Sequence, residues 1–258
     1  MNNFENKTDK KVKISITNLK KNFGSKEVLR GVDLDIYEGE SLVIIGGSGC
    51  GKTVLIKILS TLIEKTSGEI KVDDTEISSF NEKQKREYIL KISFLFQLNA
   101  LFDSYPIWKN ICISNIENEK MKKGEAIKLA KEKLQSVDLK DEVAYLYPSD
   151  ISGGMQKRVA LARCLTSTPE IIFFDEPTSG LDPLTSMKIS ELIRSVKGEN
   201  GKEVTKISIM HDIECASVVA DRIVFFLDGK VEWIGTPLEM ESSTNENLLT
   251  FIRRNGIM

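Results

Sequence analysis

Short apolar runs separated by amphipathic stretches make up most of this 258-residue chain. Apolar and polar residues alternate over residues 12–17 and 34–37, which predicts half-buried strands. The fully apolar run over 171–174 is typical of a strand in the centre of a parallel sheet. Further strands are predicted over residues 41–45, 69–72, 92–96, 206–210 and 222–227. This pattern predicts an α/β fold.

The pattern becomes helical from about residue 98 to residue 163. One apolar face is defined by residues at three- and four-residue spacing, namely Ile127, Ala130, Leu134 and Val137. The many lysines between them predict a solvated face, and lipid binding is the alternative. A helical insertion therefore interrupts the α/β pattern.

Composition and charge exclude several classes of protein. The formal net charge of -2 provides no basic field to hold the chain on nucleic acid. No stretch approaches the roughly 20 apolar residues that span a bilayer, and residues 1–13 have no apolar core of a secretory signal. The four cysteines form no C-x-x-C pair, and no histidine lies near two of them, so neither a zinc site nor a disulfide framework is predicted. A reduced, cytosolic compartment is the simplest interpretation.

A glycine-rich loop with the pattern of a P-loop follows the predicted strand over 41–45 and precedes an apolar helical pattern. Backbone N–H groups of such a loop surround the phosphates of a nucleotide, Lys52 reaches the β- and γ-phosphates, and the Thr53 hydroxyl binds Mg²⁺. The alternative is a glycine-rich turn with a lysine by chance. The residues of the loop are Gly46, Gly47, Ser48, Gly49, Cys50, Gly51, Lys52 and Thr53.

Two carboxylates, Asp175 and Glu176, follow the apolar run over 171–174. The carboxyl edge of an open α/β sheet is where ligands bind, so both side chains are expected near the phosphates. Asp175 is placed to hold Mg²⁺ directly or through water, and Glu176 to orient an attacking water. A surface carboxylate at a strand end is the alternative for Glu176.

A second candidate anion cradle begins at Ser152, where Gly153 and Gly154 expose backbone N–H groups. Ser152 is predicted to cap a helix over about 155–166, whose buried side carries Val159, Ala162 and Leu165. One nucleotide rarely needs two cradles within one chain. Two copies facing head-to-tail would let each cradle bind the other copy's ATP.

In this order the motifs resemble those of the ATP-binding cassette (ABC) ATPases, over about residues 14–252. The resemblance implies an α/β P-loop ATPase core with an antiparallel β subdomain and an inserted α-helical subdomain. It implies one domain over 1–258, with the core formed by 1–97 and 164–258. The helical subdomain with the signature motif would be 98–163.

The resemblance also implies ATP and Mg²⁺ as ligands and assigns residue roles. Phe23 resembles the aromatic that stacks on adenine, and Gln97 the Q-loop glutamine that touches Mg²⁺. His211, the single histidine of the chain, resembles the switch histidine at the γ-phosphate. Residues 151–155 resemble the signature loop, which in the family usually ends in Gln rather than Met. Ser179-Gly-Leu-Asp182 resembles the D-loop at the dimer seam.

A finer resemblance concerns the substrate. The window over 94–104 and the Gly-Gly-Met of the signature are similar to ATPases of Mla-type phospholipid transporters. This implies a permease, an MCE-domain protein and a small regulatory subunit as partners, no nucleic acid, and a peripheral position at the cytoplasmic face of the inner membrane. Importers of amino acids or other small solutes are the alternative within the family.

Other classes of P-loop protein fit less well. Thr53 and Ser152 are too close for the long coiled coil of chromosome-type ABC proteins, and no heptads are sustained. Translation-type members carry two cassettes, whereas this chain has one. A P-loop kinase or GTPase does not account for residues 151–155.

Two further hypotheses concern surfaces near the predicted site. A groove beside Gln97 would receive the permease, with Leu101, Phe102, Tyr105 and Trp108 as its lining, unless these are ordinary core residues. Cys50 lies among backbone N–H groups and near Lys52, which favours a reactive thiolate. A buried, inert thiol is the alternative.

Overall fold

The computed structural model describes residues 10–198 and 201–254. Within these residues there are ten strands: β1 (Val12–Phe23), β2 (Lys26–Tyr37), β3 (Ser41–Gly46), β4 (Ser67–Val72), β5 (Thr75–Glu76), β6 (Ile92–Leu95), β7 (Ile171–Asp175), β8 (Thr205–Ile209), β9 (Arg222–Leu227) and β10 (Lys230–Gly235). The same residues form nine α-helices: α1 (Lys52–Leu59), α2 (Glu82–Leu90), α3 (Ile107–Glu119), α4 (Lys123–Gln135), α5 (Gly153–Cys164), α6 (Pro183–Ser195), α7 (Ile213–Val219), α8 (Pro237–Glu241) and α9 (Glu246–Arg254).

A six-stranded sheet has the order β10-β9-β3-β8-β7-β6. Strands β9, β3, β8, β7 and β6 run parallel, and β10 pairs antiparallel with β9 at one edge. Every residue of β3, β7 and β8 is buried. Continuous apolar runs suit such strands because both faces of a parallel sheet are covered.

A second, antiparallel sheet has the order β2-β1-β4-β5. Inward residues such as Ile14, Leu34 and Ile36 share one hydrophobic cluster with Leu42 of β3 and Leu55 of α1. The antiparallel sheet therefore covers the α1 side of the six-stranded sheet.

The helices α3, α4 and α5 lie between β6 and β7 in the chain and contain no strand among them. Their buried residues, including Ile111, Leu134 and Leu161, belong to a second cluster that also contains Val43 and Phe174. The fold is thus a P-loop α/β core with an antiparallel sheet and a helical insertion, which confirms the predicted fold class.

The helix that follows Ser152 differs in its bounds from the prediction over 155–166. It begins at Gly153 and ends at Cys164, because Ser152 caps it by accepting a hydrogen bond from Met155 N and both glycines enter the first turn. Leu165 therefore lies outside the helix and is half-buried rather than buried.

The apolar face of α4 also differs by one position. Ala126, Ala130 and Leu134 are buried, whereas Ile127 is half-buried. Val137 is buried as predicted but lies beyond the end of the helix. Among the described helices, none combines the length and apolar character needed to cross a membrane.

Candidate active site

Most of the predicted site residues meet at one edge of the six-stranded sheet. In the order β3-β8-β7-β6, the P-loop follows β3, His211 follows β8, Asp175 ends β7 with Glu176 next to it, and Gln97 follows β6. Because these four strands are parallel neighbours, their carboxyl ends present all these side chains at the same edge.

The loop between β3 and α1 is held in a fixed shape by its own residues. Lys52 Nζ donates hydrogen bonds of 2.8 Å to Gly46 O and to Gly47 O. A Cβ placed on Gly46, where φ is 149°, would lie 2.3 Å from the carbonyl oxygen of Phe226. Only glycine permits this close approach, so the loop passes directly over β9.

The outer part of the loop is open and fits a chain of phosphates. Gly47, Ser48 and Gly49 are exposed, and a Cβ on either glycine would contact nothing within 4 Å. Helix α1 begins at Lys52, so its N-terminal N–H groups and the lysine ammonium add positive charge beside this opening.

Thr53 and Asp175 provide oxygen atoms of the kind that Mg²⁺ binds. Thr53 Oγ1 donates to Asp175 Oδ1 at 3.3 Å, and Asp175 is only 7% exposed. Burial raises the pKa of this carboxyl and the neighbouring Glu176 raises it further, while the bond from Thr53 opposes the shift. Mg²⁺ is typically held by one or two carboxylates together with phosphate oxygens, so this donor set fits the ion.

Both oxygens of the Glu176 carboxylate have partners from other elements. Gln97 Nε2 donates to Oε2 at 2.8 Å, and His211 Nε2 lies 2.6 Å from Oε1. The backbone of Glu176 has a φ of 50°, and its N–H donates to Ile209 O at 3.1 Å. A carboxylate offers about four lone-pair sites, so these contacts orient Glu176 and leave capacity for a water proton.

Two cationic residues of α5 contact the segment after β6. Lys157 Nζ donates to Gln97 O at 2.5 Å, and Arg163 donates to Asn99 O and Ala100 O at 2.6 Å each. Sequence reasoning missed both contacts. A signal was present for Lys157, because its position shares a helix face with the buried Ala160, Leu161 and Cys164.

The second cradle lies apart from the P-loop of its own chain. Ser152 and Gly153 are exposed, and a Cβ on Gly154 would lie 2.8 Å from Cγ2 of Thr185 in α6. In the described part of the chain, no hydrogen bond joins residues 152–154 to the P-loop. The cradle is therefore available to a ligand held by another molecule.

Phe23 lies at the end of β1, in the hairpin that leads into β2. Its side chain is 50% exposed, and Lys21 Nζ lies 4.8 Å from the ring centroid. Strand β2 contacts the P-loop through Leu29, since a Cβ on Gly51 would lie 2.9 Å from Leu29 Cδ2. Phe23 is therefore a half-exposed aromatic side chain at the end of β1.

The predicted groove residues differ in exposure. Phe102 is 49% exposed, and Leu98, which the prediction did not include, is 87% exposed. Leu101 and Trp108 are partly buried against the core cluster. Asn110 Oδ1 accepts from Phe102 N at 2.7 Å and so fixes the exposed end of this segment.

Cys50 is half-buried, and its Sγ lies 3.8 Å from Lys52 Nζ. The remaining cysteines, Cys112, Cys164 and Cys215, are buried. Burial raises the pKa of the Cys112 thiol to about 11 and of the Cys164 thiol to about 12. Cys50 is therefore the thiol with the best access to solvent among the four.

Comparisons with known proteins agree with this arrangement of the site residues. The family model described as ABC transporter matches residues 29–179. The chain is 35% identical over 260 residues to the protein named TRIGALACTOSYLDIACYLGLYCEROL 3, chloroplastic, of Arabidopsis thaliana, covering 92% of this chain and 72% of the relative. It is also 35% identical to the L-cystine import ATP-binding protein TcyC of Bacillus subtilis over 237 residues, covering 90% and 94%.

A solved ATP-binding cassette dimer in a post-hydrolysis state, bound to ADP and phosphate, superposes with a TM-score of 0.76. The two chains are 32% identical, and the match covers 87% of this chain and 98% of that chain. The present chain therefore belongs to the ABC transporter family, as an ATP-binding subunit that hydrolyses ATP with Mg²⁺ and couples this reaction to transport.

Proposed function

We propose that this chain powers a transporter of phospholipids of the Mla type, with catalysis centred on Glu176. The contact of Glu176 with both Gln97 and His211 is the observation that carries the catalytic part. The substrate part is supported by the sequence window over 94–104 and by a relative named for trigalactosyldiacylglycerol, a galactolipid.

A second candidate is an importer of small polar solutes. The relative named for L-cystine import is as similar to this chain as the relative named for a lipid, and it is matched over nearly its whole length. Both candidates share the ATPase and differ in the permease and the transported molecule.

In the proposed mechanism, the residues of the chain position and neutralise the reacting groups. Lys52 and the N–H groups of residues 46–51 bind the phosphates, and the ring of Phe23 stacks on adenine. Thr53, Gln97 and Asp175 would hold Mg²⁺, which when bound would neutralise charge on the β- and γ-phosphates. Glu176 accepts a proton from the attacking water, and His211 holds the Glu176 carboxylate and contacts the γ-phosphate.

A second copy of the chain completes each site. Ser152, Gly153 and Gly154 of the second copy supply N–H groups and a hydroxyl to the γ-phosphate, in a head-to-tail dimer. The exposure of Ser152 and Gly153 supports this arrangement, as does the cavity that residues 152–154 line together with Asp182 and Thr185 but without a P-loop residue. We propose that 98–163 acts as one helical subdomain, and 1–97 with 164–258 as the core.

The membrane partner is proposed to dock beside Gln97. Leu98 and Phe102 expose apolar side chains there, 87% and 49% exposed, next to the residue that contacts Glu176. The assembly would contain a permease, an MCE-domain protein and a small regulatory subunit, and no nucleic acid. The chain would lie at the cytoplasmic face of the inner membrane, held by the permease.

Purification of the tagged chain from membranes in mild detergent tests this proposal. Mass spectrometry is expected to identify a permease, an MCE-domain protein and bound phospholipid. A permease with a solute-binding protein would instead support the importer. Recovery with ribosomes or nucleic acid from the soluble fraction would contradict both.

The docking surface is tested in the same preparation. Leu98→Asp with Phe102→Asp is expected to remove the permease from the purified material and to leave ATP binding by the chain intact. Leu238→Asp is the matched control, because Leu238 is 77% exposed in α8, which follows β10 at the edge of the six-stranded sheet farthest from β6. Equal permease recovery with both variants would contradict the docking site.

A further inference from the structure

Helix α5 contacts the turn after β6 through two cationic side chains. Lys157 Nζ donates to Gln97 O at 2.5 Å, and the two terminal nitrogens of Arg163 donate to Asn99 O and Ala100 O at 2.6 Å each. We call Lys157 and Arg163 the two-cation clamp. Together they bind three of the four carbonyl groups between residues 97 and 100.

The turn over 97–100 makes two backbone hydrogen bonds of its own, from Asn99 N to Phe96 O and from Ala100 N to Leu98 O, yet two of its residues have a left-handed backbone. Asn99 and Ala100 have φ values of 59° and 48°, and alanine has no polar side chain to compensate for the left-handed conformation. Asn99 Oδ1 is buried and has no hydrogen-bond partner within the described part of the chain. Such conformations persist when surrounding groups enforce them, and the planar fork of an arginine suits two neighbouring carbonyls.

If Lys157 only filled space in the interior, burial of its ammonium would cost desolvation free energy that an apolar side chain avoids. Lys157 is only 4% exposed, and burial lowers the pKa of its ammonium, whereas the carboxylates of Glu176 and Asp175 oppose that shift. An apolar side chain of similar length would fill the same space without desolvating a charge. The contact with Gln97 O is therefore the specific gain from a lysine here.

The turn over 97–100 begins with Gln97, whose side chain contacts the proposed catalytic carboxylate. Gln97 Nε2 donates to Glu176 Oε2 at 2.8 Å. Lys157 is thus connected to Glu176 by two hydrogen bonds, one to the backbone oxygen of Gln97 and one from its side-chain amide. Ser152 caps the helix that carries both cations. Displacement of the second cradle would therefore shift the two-cation clamp with it.

We propose that Lys157 and Arg163 are positioning residues for hydrolysis, which act through the turn over 97–100 to hold the Gln97 amide on Glu176. This inference rests on the proposed roles of Gln97 and Glu176. The two-cation clamp thus connects residues 152–154, which would bind the ATP of a second copy, with Glu176 of the same chain.

A double-mutant cycle in the full chain separates positioning from general support of the fold. Arg163→Met and Lys157→Met are each expected to lower kcat by about tenfold and to change KM for ATP by less than about twofold. In a Gln97→Ala background, Arg163→Met is expected to cause no further loss, because the amide that it positions is already absent. Arg163→Lys, which keeps the charge but loses the planar fork, should fall between the wild type and Arg163→Met.

Arg158→Met is the matched control. Arg158 lies in the same helix and donates to two backbone carbonyls, Val137 O and Asp138 O, at 3.4 Å each, without touching the turn. Hydrogen exchange at the amides of residues 97–101 gives a readout independent of turnover. It should accelerate in Arg163→Met and stay unchanged in Arg158→Met.

Three results would overturn the inference: a kcat near the wild-type value in both clamp variants, a full additional loss from Arg163→Met in the Gln97→Ala background, or unchanged amide exchange in Arg163→Met. Glu176→Gln separates this inference from the proposed function. If Glu176→Gln abolishes hydrolysis and the clamp variants do not slow it, only the inference fails. If Glu176→Gln keeps normal turnover, the proposed function fails in its catalytic part, because Glu176 is then not the catalytic carboxylate.

Discussion

His211 Nε2 lies 2.6 Å from Glu176 Oε1, although 35 positions separate the two residues in the chain. The contact arises because β7 and β8 are adjacent parallel strands and each residue follows the end of its strand. One ring nitrogen of His211 thus fixes one oxygen of the carboxylate, and Gln97 fixes the other.

Loss of the imidazole is expected to disorient Glu176 without removing it. His211→Ala should lower kcat by at least about tenfold, because orientation of a catalytic group is worth this much or more. KM for ATP should change less than kcat, since the P-loop supplies most of the phosphate contacts and His211 only one. Steady-state ATPase kinetics check this, and a variant with unaltered kcat would show that Glu176 needs no orientation by His211.

Asp175→Asn is expected to stabilise the protein while it weakens Mg²⁺ binding. Burial and Glu176 raise the pKa of Asp175 in the folded state, so ionisation of this carboxyl at neutral pH opposes folding. The stabilising contribution of a raised pKa is present in acid and is lost as pH rises through the folded-state value. Without Mg²⁺, the variant should therefore melt at a higher temperature than the wild type at neutral pH.

The difference should shrink as the pH falls, because Asp175 then becomes protonated in the wild type. Addition of Mg²⁺ and ATP should stabilise the wild type more than the variant. Thermal unfolding at several pH values, with and without ligands, measures both effects. A lower melting temperature for Asp175→Asn at neutral pH without Mg²⁺ would contradict the assigned cause of the pKa shift.

Gly46 and Gly47 are adjacent glycines with opposite tolerance for a side chain. A Cβ on Gly46 would lie 2.3 Å from Phe226 O at a φ of 149°, whereas a Cβ on Gly47 would contact nothing within 4 Å. Gly46→Ala should destabilise the fold by about 1–3 kcal/mol, and Gly47→Ala should not. Chemical unfolding of both variants checks this, and equal stabilities would contradict the close approach of the loop to β9.

Cys50 is expected to be the first thiol that an alkylating reagent modifies. It is half-buried in the P-loop, whereas Cys112, Cys164 and Cys215 are buried. An added group beside Lys52 should block ATP binding by sterics, and prior ATP should protect the thiol. Mass spectrometry locates the label, and Cys50→Ala is the control. Normal hydrolysis by protein fully labelled at Cys50 would contradict this.

Contiguous motifs explain why much of the site was predictable. Lys52 and Thr53 are fixed by a loop whose glycines, strand and helix adjoin in the sequence. The pairing of Gln97, Glu176 and His211 was not predictable from spacing, because it depends on the sheet order β8-β7-β6. Strand order is set by long-range packing that no local pattern records.

The clamp residues show a second limit of sequence patterns. Lys157 and Arg163 occupy a helix in which polar residues are usually solvated, yet both donate to carbonyls of a turn about 60 positions away. The helix begins earlier than the apolar pattern predicts, because Ser152 caps it and both following glycines enter its first turn. Capping by Ser152 thus sets the start of the helix, and a turn distant in the chain sets the contacts of Lys157 and Arg163. Hydrophobic periodicity predicts neither.

The most direct test of the account is the Glu176→Gln variant of the full chain, with Glu191→Gln as a control for an exposed glutamate of α6. The amide cannot accept a proton from water, so hydrolysis should fall by about a hundredfold or more, while ATP still binds. Size-exclusion chromatography with ATP and Mg²⁺ should then show a stable dimer, because the closed state is no longer released. Turnover near the wild-type rate, with no ATP-dependent dimer, would contradict the assignment of Glu176 as the catalytic carboxylate.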